Sequence, residues 1–109
     1  MLELSMTGKG YWVFQMDVTD PDGYKAYQDD VGHVLKQFGA QFVTRGGRSE
    51  IVEGKAPART VILEFKDYET AVACWNFPEY IRSKSFRTNN SVGNVIIVEG
   101  YDGPQPSDH

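Results

Sequence analysis

The sequence predicts an α+β fold in which four strands and two helices follow the order β-α-β-β-α-β, the ferredoxin-like arrangement with an antiparallel sheet. Three observations predict it. An early stretch alternates apolar and mixed side chains with period 2, which is typical of a strand with two different faces. An apolar stripe with the period of a helix follows it. A hairpin, a second helix and a nearly all-apolar strand then complete the chain.

The first strand is predicted over residues 11–18. One of its faces is purely apolar and comprises Trp12, Phe14, Met16 and Val18. The other becomes polar toward its end and comprises Tyr11, Val13, Gln15 and Asp17. Because a small domain must remove its apolar surface from water, we expect helices to cover the first face.

The first helix is predicted to begin at Asp20-Pro21, where a carboxylate caps the backbone and proline occupies the first turn. Gly39 is expected to end this helix in the left-handed conformation. The apolar stripe between these ends comprises Tyr24, Tyr27, Val31, Val34, Leu35 and Phe38. The stripe indicates an amphipathic helix that packs on the sheet.

A hairpin is predicted next, with strands over residues 41–45 and 59–65 and a further extended run over residues 49–53. Simple alternation predicts one face of the second strand with Phe42 and Thr44, and another with Gln41, Val43 and Arg45. The third strand alternates in the same way. Its two sets are Val61, Leu63 and Phe65, and Thr60, Ile62 and Glu64.

The second helix is capped by Asp67 and is broken by Pro78, which starts a further helical piece to about Arg87. The last strand follows over residues 94–99. Right-handed crossovers place both helices on one face of the sheet, which leaves the other face uncovered. We expect that uncovered face to carry Tyr11, Val13, Ile62, Val95 and Ile97.

An exposed apolar patch of this kind usually marks an interface, so the sequence predicts a homodimer that closes face to face. The expected polar rim of this interface comprises Gln15, Asp17, Arg45, Glu64 and Glu99.

Length and composition are those of one globular domain, with 109 residues of which 40% are apolar. We expect the domain over residues 10–101, between a flexible lead-in at residues 1–9 and a disordered tail at residues 102–109. With 11 basic and 15 acidic residues, the net charge of −4 argues against nucleic acid and anionic membranes as partners. Because no segment resembles a signal peptide or a membrane span, the cytoplasm is the expected location.

Cysteine and histidine usage argues against disulfide and metal chemistry. Cys74 is the single cysteine, which excludes an internal disulfide and a cysteine-based zinc site. His33 is expected on the solvent side of the first helix and His109 in the tail, so a histidine-built metal centre is not expected. No cofactor is predicted.

A set of short motifs, in order along the chain, resembles a known family. The motifs are YWVF at 11–14, DVTDP at 17–21, GAQF at 39–42, RGG at 45–47, EG at 53–54, VILEF at 61–65, PEY at 78–80 and VEG at 98–100, with tyrosines at 24 and 27 and arginines at 59 and 87. Together they resemble the "domain of unknown function 1330" family of the dimeric α/β-barrel superfamily, over about residues 10 to 100. The resemblance implies a homodimer whose two sheets form a barrel, and it supplies no reaction. No histidine falls in the second helix, where haem-binding members of the superfamily carry their ligand, so haem is not expected.

One candidate site is a charged cluster that strand alternation would place on one face. It comprises Asp17, Arg45, Glu64 and Glu99. Asp17 or Glu64 would act as a catalytic base while Arg45 holds an anionic substrate. The alternative, which we favour, is a salt-bridged rim that sets the register of the dimer.

A second candidate site is a polar stripe on the last helical piece. It comprises Tyr80, Ser83, Lys84 and Arg87, which the helical period brings to one face. Tyr80 and Arg87 would bind a carboxylate-bearing ligand, or Arg87 would bond carbonyls at the helix end. Tyr24 and Tyr27 are core residues by position, and one of their hydroxyls would reach a ligand pocket between helices and sheet.

Three functions of different classes remain open from the sequence. The first is a cofactor-independent enzyme that acts on a small organic acid, lactone or aromatic metabolite by proton transfer. The second is a non-catalytic binder of small molecules, and the third is a structural dimer module. A pocket with a perturbed carboxylate would favour the enzyme, a pocket without such a group would favour the binder, and a filled interior would favour the module.

Overall fold

The computed structural model describes residues 8–108 and confirms the predicted order of elements. The elements are β1 Gly10–Val18, α1 Pro21–Gln37, β2 Gln41–Arg45, β3 Arg59–Phe65, α2 Tyr68–Trp75, α3 Pro78–Thr88, β4 Ser91–Glu99 and a 3₁₀ turn at Pro106–Asp108. The predicted lead-in at 1–7 and the last tail residue, His109, lie outside the described residues. The proposed domain boundaries stay predictions.

The four strands form one antiparallel sheet in the order β2-β3-β1-β4. β1 and β2 run parallel to each other with β3 between them, so each βαβ unit is split by an inserted strand. Buried residues of all three helices pack with those of β1 and β3 in one core, which puts the helices on one face of the sheet. This is the ferredoxin-like arrangement that the sequence predicted.

The helix ends follow the predicted capping chemistry. The Asp20 carboxylate accepts hydrogen bonds from the backbone N–H groups of Asp22 and Gly23. At the other end of α1, Gly39 has a φ of +70°. The Gly39 N–H donates to the Lys36 carbonyl and the next N–H to the Leu35 carbonyl, which together form a Schellman motif. In α2, the Thr70 N–H donates to the Asp67 carboxylate at 2.7 Å.

Trp12 occupies the centre of the core and is fully buried. Its ring contacts those of Phe65, Trp75 and Tyr80 at centroid distances of 4.9, 5.3 and 4.8 Å. The indole N–H donates to the Ala71 carbonyl at 2.9 Å, so the one polar atom of this side chain is satisfied. β1 is therefore joined to α2 and α3 by both apolar and polar contacts.

The uncovered face differs from the prediction along β4. Val95 pairs with Phe14 and Ile97 with Trp12, so both lie on the helix-covered face and pack against the core. The prediction that they face outward was wrong. Ile96 and Val98 take their places, opposite Val13 and Tyr11. Glu99 pairs with Gly10 and is likewise absent from the predicted rim.

An irregularity in β2 reverses another predicted face. Phe42 pairs with Leu63 and Thr44 with Ile62, which leaves Val43 as the extra residue of a β-bulge. Arg45 then pairs with Val61, so it joins Phe42 on the helix-covered face instead of the rim of the uncovered one. The extended run predicted at 49–53 is also wrong, because residues 46–58 form a loop without regular structure.

Candidate functional site

A cavity of about 420 Å³ lies between α1 and the β2–β3 side of the sheet. It forms because α1 packs mainly against α3, so that its other flank stands away from the strands. The floor consists of Phe14, Val61 and Leu63, and the helix wall includes Tyr24, Tyr27, Val31 and Leu35. The size and the largely apolar lining are those of a site for a small organic molecule.

Positive charge is concentrated in this cavity. Lys36, Arg45 and Arg59 contribute to its lining, whereas none of the described lining residues is Asp or Glu. Within residues 8–108, none of these three cations forms a salt bridge. An apolar cavity with cations and no carboxylate favours anionic ligands over neutral or cationic ones.

Arg59 is the least exposed of the three cations. It starts β3 on the helix-covered face, and its guanidinium carbon lies 5.8 Å from the centre of the Tyr24 ring. Its Nε is buried and has no hydrogen-bond partner among the described residues. A buried donor without a partner carries a desolvation cost of about 1–3 kcal/mol, which an acceptor from a ligand would offset.

Arg45 stands diagonally across the β2–β3 ladder from Arg59, because its direct partner is Val61, two residues further along β3. Side chains at diagonal positions on one face are about 7–8 Å apart at their Cα atoms, within reach for long side chains. The Arg45 guanidinium lies 4.5 Å from the centre of the Phe42 ring. Two like charges this close repel unless they share an anion.

Tyr27 connects the cavity to the core behind it. Its hydroxyl forms a 3.0 Å hydrogen bond with the hydroxyl of Tyr80, and either oxygen serves as the donor. Burial, with the neighbouring Tyr80 next in effect, raises the pKa of Tyr27 well above its ordinary value. Burial also raises the pKa of Tyr80. Both phenols are therefore neutral hydrogen-bonding groups and not bases at neutral pH.

Arg87 lies in the core and is not among the described residues that line the cavity. Its side chain is buried, and its guanidinium carbon lies 5.3 to 5.7 Å from the ring centres of Phe14, Tyr27 and Trp75. Cation–π attraction offsets part of the cost of burying this charge. Ser83 of the same stripe donates to the Asp30 carboxylate of α1, and the Lys84 ammonium lies 4.9 Å from the centre of the Trp75 ring.

Asp17 and Glu64 are separated from each other and from the cavity. Asp17 accepts a 2.9 Å hydrogen bond from the Ala58 N–H at the loop end of β1. Glu64 lies opposite Tyr11, accepts a hydrogen bond from its hydroxyl and pairs with Lys9 at 3.7 Å. Asp17 lies six residues along β1 from Tyr11, the partner of Glu64, which corresponds to about 20 Å. The predicted cluster with Arg45 therefore does not form within one chain.

Of the other reactive residue types, Cys74 is fully buried in α2 and burial raises its pKa to about 12. The thiol is thus protonated and unreactive at neutral pH. His33 lies on the surface of α1 and bonds Glu79 of α3 at 3.0 Å. Residues 8–108 contain no group of three or more His, Cys, Asp or Glu side chains arranged to hold a metal ion.

Five residues were predicted to bind a ligand. Tyr24, Tyr27 and Arg45 line the cavity, whereas Tyr80 and Arg87 are not among its described lining residues. Arg59 and Gly32 were not predicted as cavity residues. The signal for Arg59 was its alternation with the inward residues of β3, which makes it an arginine at a core-facing position. The signal for Gly32 was a glycine inside a predicted helix, where glycine is unfavourable. In the structure, a Cβ atom built at Gly32 meets no atom within 4 Å.

The family assignment follows from a comparison with known families. The model described as "Domain of unknown function (DUF1330)" matches residues 9–101. The chain belongs to this family. The resemblance noted in the sequence is thereby confirmed, and a DUF1330 chain carries no assigned reaction by virtue of its family. No curated protein matches the chain.

Solved structures share the fold of this DUF1330 chain. A protein of unknown function from Rhodopseudomonas palustris is 18% identical with a TM-score of 0.67, and the match covers 92% of this chain and 85% of the other. The methylated form of the same protein is 19% identical with a TM-score of 0.66, and the match covers 92% of this chain and 84% of the other. SnoaB, a cofactor-independent oxygenase from Streptomyces nogalater, is 10% identical with a TM-score of 0.59, and the match covers 91% and 98%. At these identities the likeness shows the fold alone.

Within the described part of this chain, no helix is long and apolar enough to cross a membrane.

Proposed function

We propose that this protein binds a small organic anion with an apolar body in the cavity between α1 and the sheet. Arg59 carries the proposal, because its buried Nε has no hydrogen-bond partner among residues 8–108 and the cavity lining described there has no carboxylate. Its guanidinium would bind the carboxylate of the ligand, and Arg45 would add a second positive charge.

Charge and apolar area would both contribute to binding. An arginine presents two parallel N–H groups that match a carboxylate, and such charge-assisted hydrogen bonds are about twice as strong as neutral ones. The aliphatic and aromatic lining would remove the body of the ligand from water. Charge alone would bind any anion, and apolar area alone would bind any apolar molecule. A cation at one end of an apolar slot selects an organic acid.

A cofactor-independent enzyme remains the second candidate, acting on an organic acid, lactone or aromatic metabolite. The likeness to SnoaB concerns the fold only. The observation that favours catalysis is the same pair of arginines, which would stabilise an enolate or phenolate form of a bound substrate. Asp17 and Glu64 are poor candidates for its base because they lie on the uncovered face. Assays with electron-rich phenols or lactones distinguish an enzyme from a binder. Oxygen uptake and product analysis would measure their turnover.

A homodimer is part of the proposal, with the uncovered face as the interface. Tyr11, Val13, Ile62, Ile96 and Val98 lie on that face, and Ile96 and Val98 are 55% and 42% exposed. An apolar patch of this kind is typical of a surface that a partner covers. The cytoplasmic location expected from the sequence stays a prediction.

The binding proposal is tested by thermal denaturation with matched ligands. Octanoate and phenylpropionate should raise the melting temperature, whereas their neutral amides should not. A ligand at 100 times its dissociation constant adds about 2.7 kcal/mol of stability, which is easily measured. Arg59→Gln should weaken carboxylate binding about 10- to 100-fold.

Arg82→Gln is the matched control, because Arg82 is an exposed arginine on α3 outside the cavity. It should bind like the wild type. Equal shifts with acids and amides, or an unchanged affinity in Arg59→Gln, would contradict the proposal.

A further inference from the structure

The cavity has a second cationic end. Tyr24, which contacts Arg59, and Lys36 both line the cavity from α1, twelve residues apart. At 1.5 Å per residue this separation is about 18 Å along the helix axis. The lining between these two positions is mainly apolar, with the amide of Gln28 as its polar exception on the helix. The cavity is thus an elongated slot with positive charge at each end.

Strand geometry gives the same picture from the opposite wall. α1 ends beside the start of β2, so β2 runs back along the helix toward Arg45. Gln41 and Arg45, which both contribute to the lining, pair with Glu64 and Val61 on either side of the Val43 bulge, so they are three ladder positions apart, or about 10 Å. Lys36 belongs to the Gln41 end of the slot, whereas Arg45 and Arg59 belong to the other end.

We propose that the ligand is a two-ended molecule, with a carboxylate at Arg59, a linear or flat apolar body, and a second acidic or oxygen-bearing group at Lys36. This inference rests on the proposed binding of organic anions and specifies the class of anion. A lysine in the last turn of a helix also suits the helix dipole without any ligand. That structural role predicts an effect of Lys36 on stability and none on the choice between ligands.

The test compares ligands that differ only at the far end. Sebacate and its monomethyl ester have the same body, and the ester lacks the second charge. Adipate, suberate and dodecanedioate vary the length. We expect sebacate or suberate to bind the wild type about 3- to 10-fold more tightly than the corresponding monoester, the range for a charge-assisted contact at an exposed lysine.

Lys36→Gln should remove this preference, because the two ligands then meet the same uncharged side chain at the far end. Lys36→Glu should reverse it, so that the ω-amino acid of the same length binds more tightly than the dicarboxylate. Lys25→Gln, an exposed lysine of α1 outside the cavity, is the control and should retain the wild-type preference. Because Lys36 is exposed, these variants should fold, which circular dichroism checks.

Failure of this inference is distinguishable from failure of the proposed function. If the monoester binds in an Arg59-dependent way but no dicarboxylate binds more tightly in the wild type, or Lys36→Gln keeps the preference, the two-ended ligand is wrong and anion binding stands. If no carboxylate binds, or binding does not depend on Arg59, both proposals are wrong.

Discussion

Gly46 lies directly beneath the guanidinium of Arg59. A Cβ atom built at Gly46 would collide with the Arg59 Nη1, and Gly46 has a φ of +65°, which favours glycine. The Gly46 N–H also donates to the Thr60 carbonyl at 2.8 Å. The start of the β2–β3 loop therefore leaves room for the side chain at the centre of the proposed site.

Replacing Gly46 with alanine should destabilise the protein and displace Arg59. We expect a loss of about 1–3 kcal/mol in the free energy of unfolding, since both the positive φ and the collision oppose the methyl group. Urea denaturation measures the loss. Gly47→Ala is the control, because its Cβ meets Thr44 Oγ1 at an ordinary 3.5 Å, and it should change stability by less than about 0.5 kcal/mol. Equal losses in both variants would contradict this account of Gly46.

Gly32→Ala should have the opposite effect. Gly32 lies inside α1, its φ is not positive, and its Cβ position is open. Alanine should therefore stabilise the helix by about 0.5–1 kcal/mol. Gly39→Ala provides the contrast, because Gly39 has open space but a φ of +70°, and it should destabilise. A destabilised Gly32→Ala variant would show that the flank of α1 is more crowded than described.

Stability should fall at alkaline pH, and Cys74 should begin the fall. Burial raises the pKa of Cys74 from 9.0 to about 12, so its contribution is complete below pH 9 and is lost as pH rises toward 12. One proton corresponds to a slope of about 1.4 kcal/mol per pH unit. Cys74→Ala should show a flatter profile between pH 9 and 10 in denaturation experiments. Above pH 10 the raised pKa of Tyr27 adds to the loss. Identical slopes in the two proteins would contradict the assignment to Cys74.

A charge on the uncovered face should dissociate the proposed dimer. Ile62→Asp places a carboxylate opposite Val13, and burying it without a partner in an interface is costly. Analytical ultracentrifugation at micromolar concentration should show a dimer for the wild type and a monomer for Ile62→Asp. Ile81→Asp, on the exposed surface of α3, should remain a dimer. A monomeric wild type would rule out the interface.

Most of the fold was predictable because local signals agree with it. The ends of α1 are marked by Asp20 and Pro21 at its start and by Gly39 after its last turn. The alternation in β1 separates the core face from the uncovered face. β4 lacks such a signal, since Val95, Ile96, Ile97 and Val98 are all apolar and a shift by one residue leaves the pattern unchanged. Pairing with β1 decides the face, and the sequence of β4 alone does not contain that information.

The site was less predictable because it depends on one bulge and one gap. The bulge at Val43 moves Arg45 to the helix-covered face. The residue types of β2 do not predict this bulge. The gap arises because α1 packs toward α3. This packing depends on tertiary contacts, which the local sequence pattern does not contain. Tyr24 and Tyr27 were predicted from helical periodicity, whereas Arg59 becomes a candidate only when its core-facing position is recognised.

The Arg59 Nε–H resonance tests the central claim most directly. In ¹⁵N–¹H spectra, saturating octanoate should shift this resonance and slow its exchange, because the buried Nε gains a carboxylate acceptor, whereas octanamide should leave it unchanged. Arg87, whose buried Nε also lacks a partner among the described residues but lies in the core, should not respond. If octanoate binds and shifts other resonances while Arg59 stays unchanged, the ligand carboxylate lies elsewhere and the account is wrong.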